Sequence, residues 1–258
     1  MFGVTDLAAA RNVRTRFGHP AGLVNLFGVE LWERFSFYGM LTILGYYLYY
    51  SLTDGGLGLP KATATGIVGA YGGFVYLSTV LGGWVADRVL GMERTLFYGG
   101  VVVMCGHISL ALIPGLTGVA VGTVLIGLGA GALKANASSL LGTLYDQGDP
   151  RRDGGFTLFY LGINIGAFAG PLITGLLQTR LGFHYGFGAA AVGMAFGLAQ
   201  YVITGAIWAS TVAPSRTRSP AMRCCVQSGL PRWWWVRSWW AFSPVSSTLR
   251  ICRRRPLR

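Results

Sequence analysis

Ionisable side chains are scarce in this 258-residue chain: Asp, Glu, Lys and Arg make up 12% of it, about half the roughly 25% of an ordinary soluble domain. So few charges cannot cover a water-exposed globular surface, and the deficit points to lipid. Cysteine is also sparse. Cys105 lies in an apolar run and Cys224, Cys225 and Cys252 near the end, with no C-x-x-C pair, which excludes a disulfide framework and a zinc site. No metal box, phosphate loop or nucleophile–base pair occurs, so no enzyme activity, metal or cofactor is expected. Residues 1–20 lack an apolar core and contain Arg11, Arg14 and Arg16. No removable signal peptide is expected, and insertion falls to the first spanning helix. The net charge of +12 is not a nucleic-acid footprint: residues 1–209 hold eleven basic and nine acidic side chains, whereas residues 210–258 hold ten arginines and no acid.

What the chain does have is apolar runs, at about 24–50, 63–86, 95–113, 118–141, 156–178 and 185–208. Each approaches the roughly 20 residues that a transmembrane helix requires. Short separators with turn chemistry lie between them, among them Asp54-Gly55-Gly56, Pro114-Gly115 and Asp149-Pro150. The expected fold is all-α, a multi-pass bundle of six helices over 24–208, after an amino-terminal segment 1–23 and before a tail 209–258. Glycines inside the spans, such as Gly122, Gly127, Gly129 and Gly131, let membrane helices approach closely. Basic residues collect at the amino terminus and in the second and fourth connections (Arg88, Arg94, Arg151, Arg152), against only Lys61 and Arg180 in the opposite ones. The positive-inside rule then places the amino terminus in the cytoplasm of a cell-membrane protein.

The first run contains three charges, Glu30, Glu33 and Arg34. Each ionised group near a bilayer centre costs roughly 2.5–3.5 kcal/mol on insertion scales. Positions 30, 33, 34 and 38 share one helical face, which must therefore look into protein or water. Burial favours the neutral acid and an adjacent guanidinium favours the carboxylate, so a modest rearrangement would load or release a proton. A permanently paired architectural cluster is the bland alternative. Lys134 is the lone charge of the fourth run and needs a partner, either a first-helix glutamate or a ligand carboxylate. Tyr46, Tyr47, Tyr49 and Tyr50 read as an interfacial belt, and His107 as a hydrogen-bonded packing residue.

Four elements carry a resemblance. Glu30-x-x-Glu33-Arg34-Phe35-x-x-Tyr38-Gly39 is similar to the first-helix motif of proton-dependent oligopeptide transporters, a branch of the major facilitator superfamily. Gly82-Gly83-Trp84-Val85-Ala86-Asp87-Arg88-Val89-Leu90-Gly91-Met92-Glu93-Arg94 resembles that superfamily's loop between helices 2 and 3. Lys134-Ala135-Asn136 resembles a Lys-x-Asn element of the fourth helix, and Phe159 to Ala167 the fifth-helix signature. The resemblance covers about 20–208 and corresponds to one six-helix half of a twelve-helix fold.

It implies a proton-coupled di/tripeptide symporter, with protons as coupling ion, peptides and the lipid bilayer as partners, and no nucleic acid. Glu30, Glu33 and Arg34 would couple protons; Arg34, Tyr38, Tyr76, Lys134 and Asn164 would line the peptide site, and Tyr160 is open to either a cavity or an interfacial role. Gly83, Asp87, Arg88, Gly91 and Arg94 would form a conformational loop, a charge latch at helix ends. A half-bundle is expected to need the carboxy-terminal half, or a partner bundle, to transport. Rival readings are another porter of the superfamily and a non-transporting half-bundle that docks on a partner. The tail, rich in Arg, Trp, Pro and Cys, reads as out-of-frame translation, with a lipid-binding basic segment as its rival.

Overall fold

The computed structural model describes residues 15–16, 18–146 and 148–209. Most of the expected amino-terminal segment and all but the first residue of the tail lie outside the described residues. A short antiparallel pair, β1 (Thr15–Arg16) and β2 (His19–Pro20), leads into six helices. These are α1 (Ala21–Tyr49), α2 (Lys61–Val85), α3 (Met92–Leu112), α4 (Gly115–Thr143), α5 (Arg152–Leu181) and α6 (Phe183–Ala209). All six apolar runs are helical: each helix begins two to four residues before its run, α1 to α3 end one residue before theirs, and α4 to α6 end one to three residues beyond.

Five helices, α2 to α6, are long and apolar enough to cross a membrane by length and composition. The 29-residue α1 is as long, but Glu30, Glu33 and Arg34 interrupt it, and its place in the bilayer rests on pairing those charges inside the bundle. It lies at the centre, with Leu26, Met40, Ile43, Leu44 and Leu48 fully buried. It packs chiefly on α5 and α6, while α4 packs on α3 and α2. The protein is a multi-pass membrane protein.

Close packing rests on small residues, because lipid supplies no hydrophobic drive for helices to associate. On α5, Gly162, Gly166 and Gly170 follow each other at four-residue spacing and face α1. A Cβ at Gly166 would run into the Leu31 carbonyl and lie 3.0 Å from the Arg34 Cβ; one at Gly170 would strike the Phe35 carbonyl. The Thr174 hydroxyl then donates across the same seam to the Gly39 carbonyl at 2.9 Å. On α4, a Cβ at Gly131 would sit 2.5 Å from Ser78 of α2, and one at Gly129 would sit 2.5 Å from the Gly99 carbonyl of α3. Thus α4 is wedged between α2 and α3 while α1 is drawn onto α5.

Two expectations are corrected. Tyr47 is not part of an interfacial belt: one position from Tyr46 turns it about 100° around the helix, onto Phe183, His184 and Phe187. Its hydroxyl accepts the Gly115 N–H at 3.0 Å, where φ of +80° requires glycine. Tyr46 and Tyr50 do remain exposed. His107 is fully buried as a packing residue should be, but neither ring nitrogen meets a hydrogen-bond partner, so the hydrogen bond expected of it is absent.

Candidate functional site

The α1 charges turn inward at mid-helix. Glu30, Glu33 and Arg34 are 4%, 1% and 6% exposed, so none of them faces lipid. The Arg34 Nε–H donates to Glu30 Oε1 at 2.7 Å. Glu33 Oε2 lies 2.8 Å from the same nitrogen, yet neither Glu33 oxygen receives an aligned hydrogen bond. The Nε–H is aligned on Glu30, its i,i+4 neighbour, and is not aligned on either Glu33 oxygen. Glu33 is held by charge alone. Its backbone carbonyl accepts the buried Ser36 hydroxyl at 2.9 Å, which fixes the helix around it.

From α4, Lys134 comes into electrostatic range of Arg34, Glu33 and Glu30. No carboxylate lies within ion-pair distance of its ammonium among the described residues. Aromatic faces hold it instead: Nζ is 4.4 Å from the Phe37 ring centroid and 5.7 Å from that of Tyr76. Phe37 also lies beneath Arg34, whose Cζ is 5.8 Å from its centroid. Its ring stacks on Tyr71 at 6.1 Å and meets Tyr38 edge-on at 5.4 Å. Tyr71 is buried, its hydroxyl has no hydrogen-bond partner, and it lies within electrostatic range of Glu33 and Arg34.

The structure therefore brings together Glu30, Glu33, Arg34, Tyr38, Tyr76 and Lys134 from three helices. Tyr38 and Tyr76, 37% and 73% exposed, open one side of the cluster outward. Asn164 of α5 is exposed, and its amide donates to the Tyr160 carbonyl of its own helix at 2.8 Å. Tyr160 is exposed as well. Sequence reasoning missed Phe37 and Tyr71. A phenylalanine inside an apolar run carries no signal of its own, and Tyr71 became legible only once its distance from the α1 acids was known. The Asn136 amide donates to Ala132 at 2.7 Å and reaches Gly82 of α2 at 3.5 Å, so the second half of the Lys-x-Asn element braces α4 against α2 and leaves Lys134 for the cluster.

At the far end of α2, Ala86–Leu90 widens into a π-helical turn that ends at Gly91, with φ of +83° and ψ of 157°. Only glycine adopts that backbone readily, which accounts for the break between α2 and α3. Gly83 lies against Ala135 of α4, with 4.0 Å for an added Cβ. Asp87, Arg88, Glu93 and Arg94 are exposed, and no ion pair joins them among the described residues. The expected latch is open here, because solvated charges gain little from pairing.

A profile described as PTR2, POT family, matches residues 93–231. The uncharacterized transporter YclF of Bacillus subtilis (strain 168) is 53% identical over 188 residues, 73% of this chain and 38% of its own length. A di-/tripeptide transporter of Lactococcus lactis subsp. lactis (strain IL1403) is 53% identical over 190 residues, again 73% and 38%. Among solved structures, a peptide transporter POT in complex with sulfate superposes with a TM-score of 0.75 at 47% identity, over 83% of this chain and 44% of that one. A POT family transporter in complex with a thioalcohol-conjugated peptide gives 0.71 at 42%, over 73% and 39%. The chain thus spans well under half the length of these relatives. With more than half of its residues under the family profile, and the helices superposing on POT transporters, the chain belongs to the POT family.

Proposed function

We propose that this bundle is the proton-handling portion of a proton-coupled di/tripeptide symporter, and that the cluster of Glu30, Glu33, Arg34 and Lys134 links the proton to the peptide. The observation that carries this is the unequal pairing of the two carboxylates beside an ammonium that has no carboxylate of its own. With both acids ionised, two anions and two cations balance. A peptide carboxylate docking on Lys134 adds one negative charge in a site poorly screened by water, and one proton on a glutamate restores neutrality. Each ligand then favours the other, as reciprocal linkage requires. Glu33 is the acceptor, since Glu30 holds the aligned bond to Arg34. Tyr38 and Tyr76 offer ring faces and hydroxyls to the bound peptide, and Asn164 an amide from α5.

The amino terminus is on the cytoplasmic side, and the POT relatives support a transport role in place of an enzymatic one. The membrane windows of α2 and α5 are each 22% buried, against 44–50% for α3, α4 and α6. Their exposed apolar faces are where a further bundle docks to close the peptide site.

A chimera tests the reading. The matched 190-residue region of the Lactococcus lactis di-/tripeptide transporter is replaced by the corresponding region of this chain and reconstituted in liposomes. Labelled dipeptide is expected to accumulate under an inward proton gradient. Lys134→Ala is expected to abolish uptake. Glu33→Gln is expected to retain dipeptide exchange but lose gradient-driven accumulation. Accumulation by the Glu33→Gln chimera at the parent level would overturn the assignment of the proton to Glu33.

A further inference from the structure

The geometry points to Phe37 as the residue that positions Lys134, holding the ammonium over its ring so that the N–H donors stay free for an incoming carboxylate. Three observations carry this. First, Lys134 Nζ lies 4.4 Å from the Phe37 centroid, well inside the roughly 6 Å over which a cation and an aromatic face attract. Second, the two acids in range are engaged by Arg34, at 2.7 and 2.8 Å, and no carboxylate approaches Lys134 to ion-pair distance among the described residues. Third, Phe37 cannot drift. It is 7% exposed, stacked on Tyr71 and set edge-on to Tyr38. A carboxylate in its place would hold the ammonium equally well, but would neutralise it and occupy its donors. A ring attracts the charge through its quadrupole and leaves the hydrogen-bonding valence unspent. The same ring lies under Arg34, so it also sets the spacing between the two cations.

This rests on the peptide reading only for what Lys134 binds; the ring–ammonium contact is tested without it. The chain contains just two lysines, Lys61 and Lys134. Reductive dimethylation of the purified full chain in detergent with a ¹³C-labelled reagent therefore gives resonances from Lys61, Lys134 and the amino terminus. The Lys134 methyl protons are expected upfield of free dimethyl-lysine, shifted by the Phe37 ring current. Phe37→Leu is expected to move them back toward the free value, with Lys61, which lies over Tyr49 at 5.4 Å, unchanged as a control for folding. Phe37→Trp is expected to restore the upfield position. An unmoved Lys134 resonance in Phe37→Leu overturns the inference.

Should Phe37→Leu disturb Lys61 as well, ring-fluorinated phenylalanines at position 37 decide, since they keep shape and weaken the quadrupole. Stepwise weakening of Ala-Ala binding with fluorine number, reaching about tenfold, supports the assignment, and a flat series overturns it. Binding is read by calorimetry on the unmethylated chimera described above, with Ala-Ala amide as the comparison that lacks a carboxylate. If the chimera with phenylalanine at position 37 does not bind Ala-Ala, the peptide reading fails, while the Phe37→Leu, Phe37→Trp and Lys61 resonances still decide the role of Phe37.

Discussion

The charges of this protein occupy two kinds of place, and the two behave in opposite ways. At mid-helix, Glu30, Glu33 and Arg34 are buried and locked together within 2.8 Å. At the ends of α2 and α3, Asp87, Arg88, Glu93 and Arg94 are also near one another in sequence but exposed, and no ion pair joins them among the described residues. Water solvates the second group at little cost, whereas protein and lipid leave the first no other partner. Between the extremes stands the α4–α5 connection. There Arg151 holds Asp149 through Nε and Nη2 at 3.1 and 2.9 Å and donates to the Gly18 carbonyl at 3.1 Å, tying the amino-terminal turn to the loop. Alongside, His19 Nδ1 and the Tyr145 hydroxyl share a hydrogen bond of 3.0 Å. Adjacency of opposite charges therefore does not foretell pairing; the dielectric around them does.

The largest expected effect comes from breaking the buried side of this contrast. Arg34→Leu leaves two buried carboxylates without their cation, a loss of about 3–5 kcal/mol, read as failure to accumulate in membranes or as early melting in detergent-based thermal unfolding. Next comes the seam that carries α1 to the cluster. Gly166→Val forces side-chain atoms into the Leu31 carbonyl and is expected to cost about 1–3 kcal/mol, measured the same way. A third variant, Asp87→Asn, touches only the exposed group and should change stability by no more than about 0.5 kcal/mol; a drop comparable to that of Arg34→Leu would mean that the latch is closed in the membrane.

The smallest effect concerns the intermediate pair. The Arg151 side chain and backbone hydrogen bonds hold the Asp149 carboxyl below its ordinary value of 3.8. A depressed acid contributes stability above that value and loses it as pH falls through the folded one. Arg151→Ala should therefore lower the melting temperature slightly at about pH 7, and by less as pH falls through the folded-state value of Asp149. A difference that persists in acid would assign the effect to the Arg151–Gly18 contact alone. Orientation is checked separately: with the four native cysteines replaced, an impermeant maleimide should label Lys61→Cys in intact cells and spare Arg151→Cys.

Much of the fold was legible from composition and periodicity, because six apolar runs with short polar separators leave the chain few options in a bilayer. The inward direction of Glu30, Glu33 and Arg34 followed from the cost of facing lipid. The placement of Lys134 beside them did not, since positions 34 and 134 lie one hundred residues apart and only the packing of α1, α2 and α4 brings them together. Tyr47 illustrates the opposite limit: four tyrosines in five positions look alike as a string, yet Tyr46 and Tyr50 are exposed while Tyr47 anchors the α3–α4 turn.

Residue chemistry by itself determined that this chain crosses the membrane repeatedly and that its first helix must bury paired charge, since hydrocarbon tolerates neither open backbone nor unpaired ions. Tertiary structure alone decided which rings hold the Lys134 ammonium and which glycines seat α1 on α5. Those choices depend on distances of a few ångströms between helices remote in sequence, and local pattern carries no record of them.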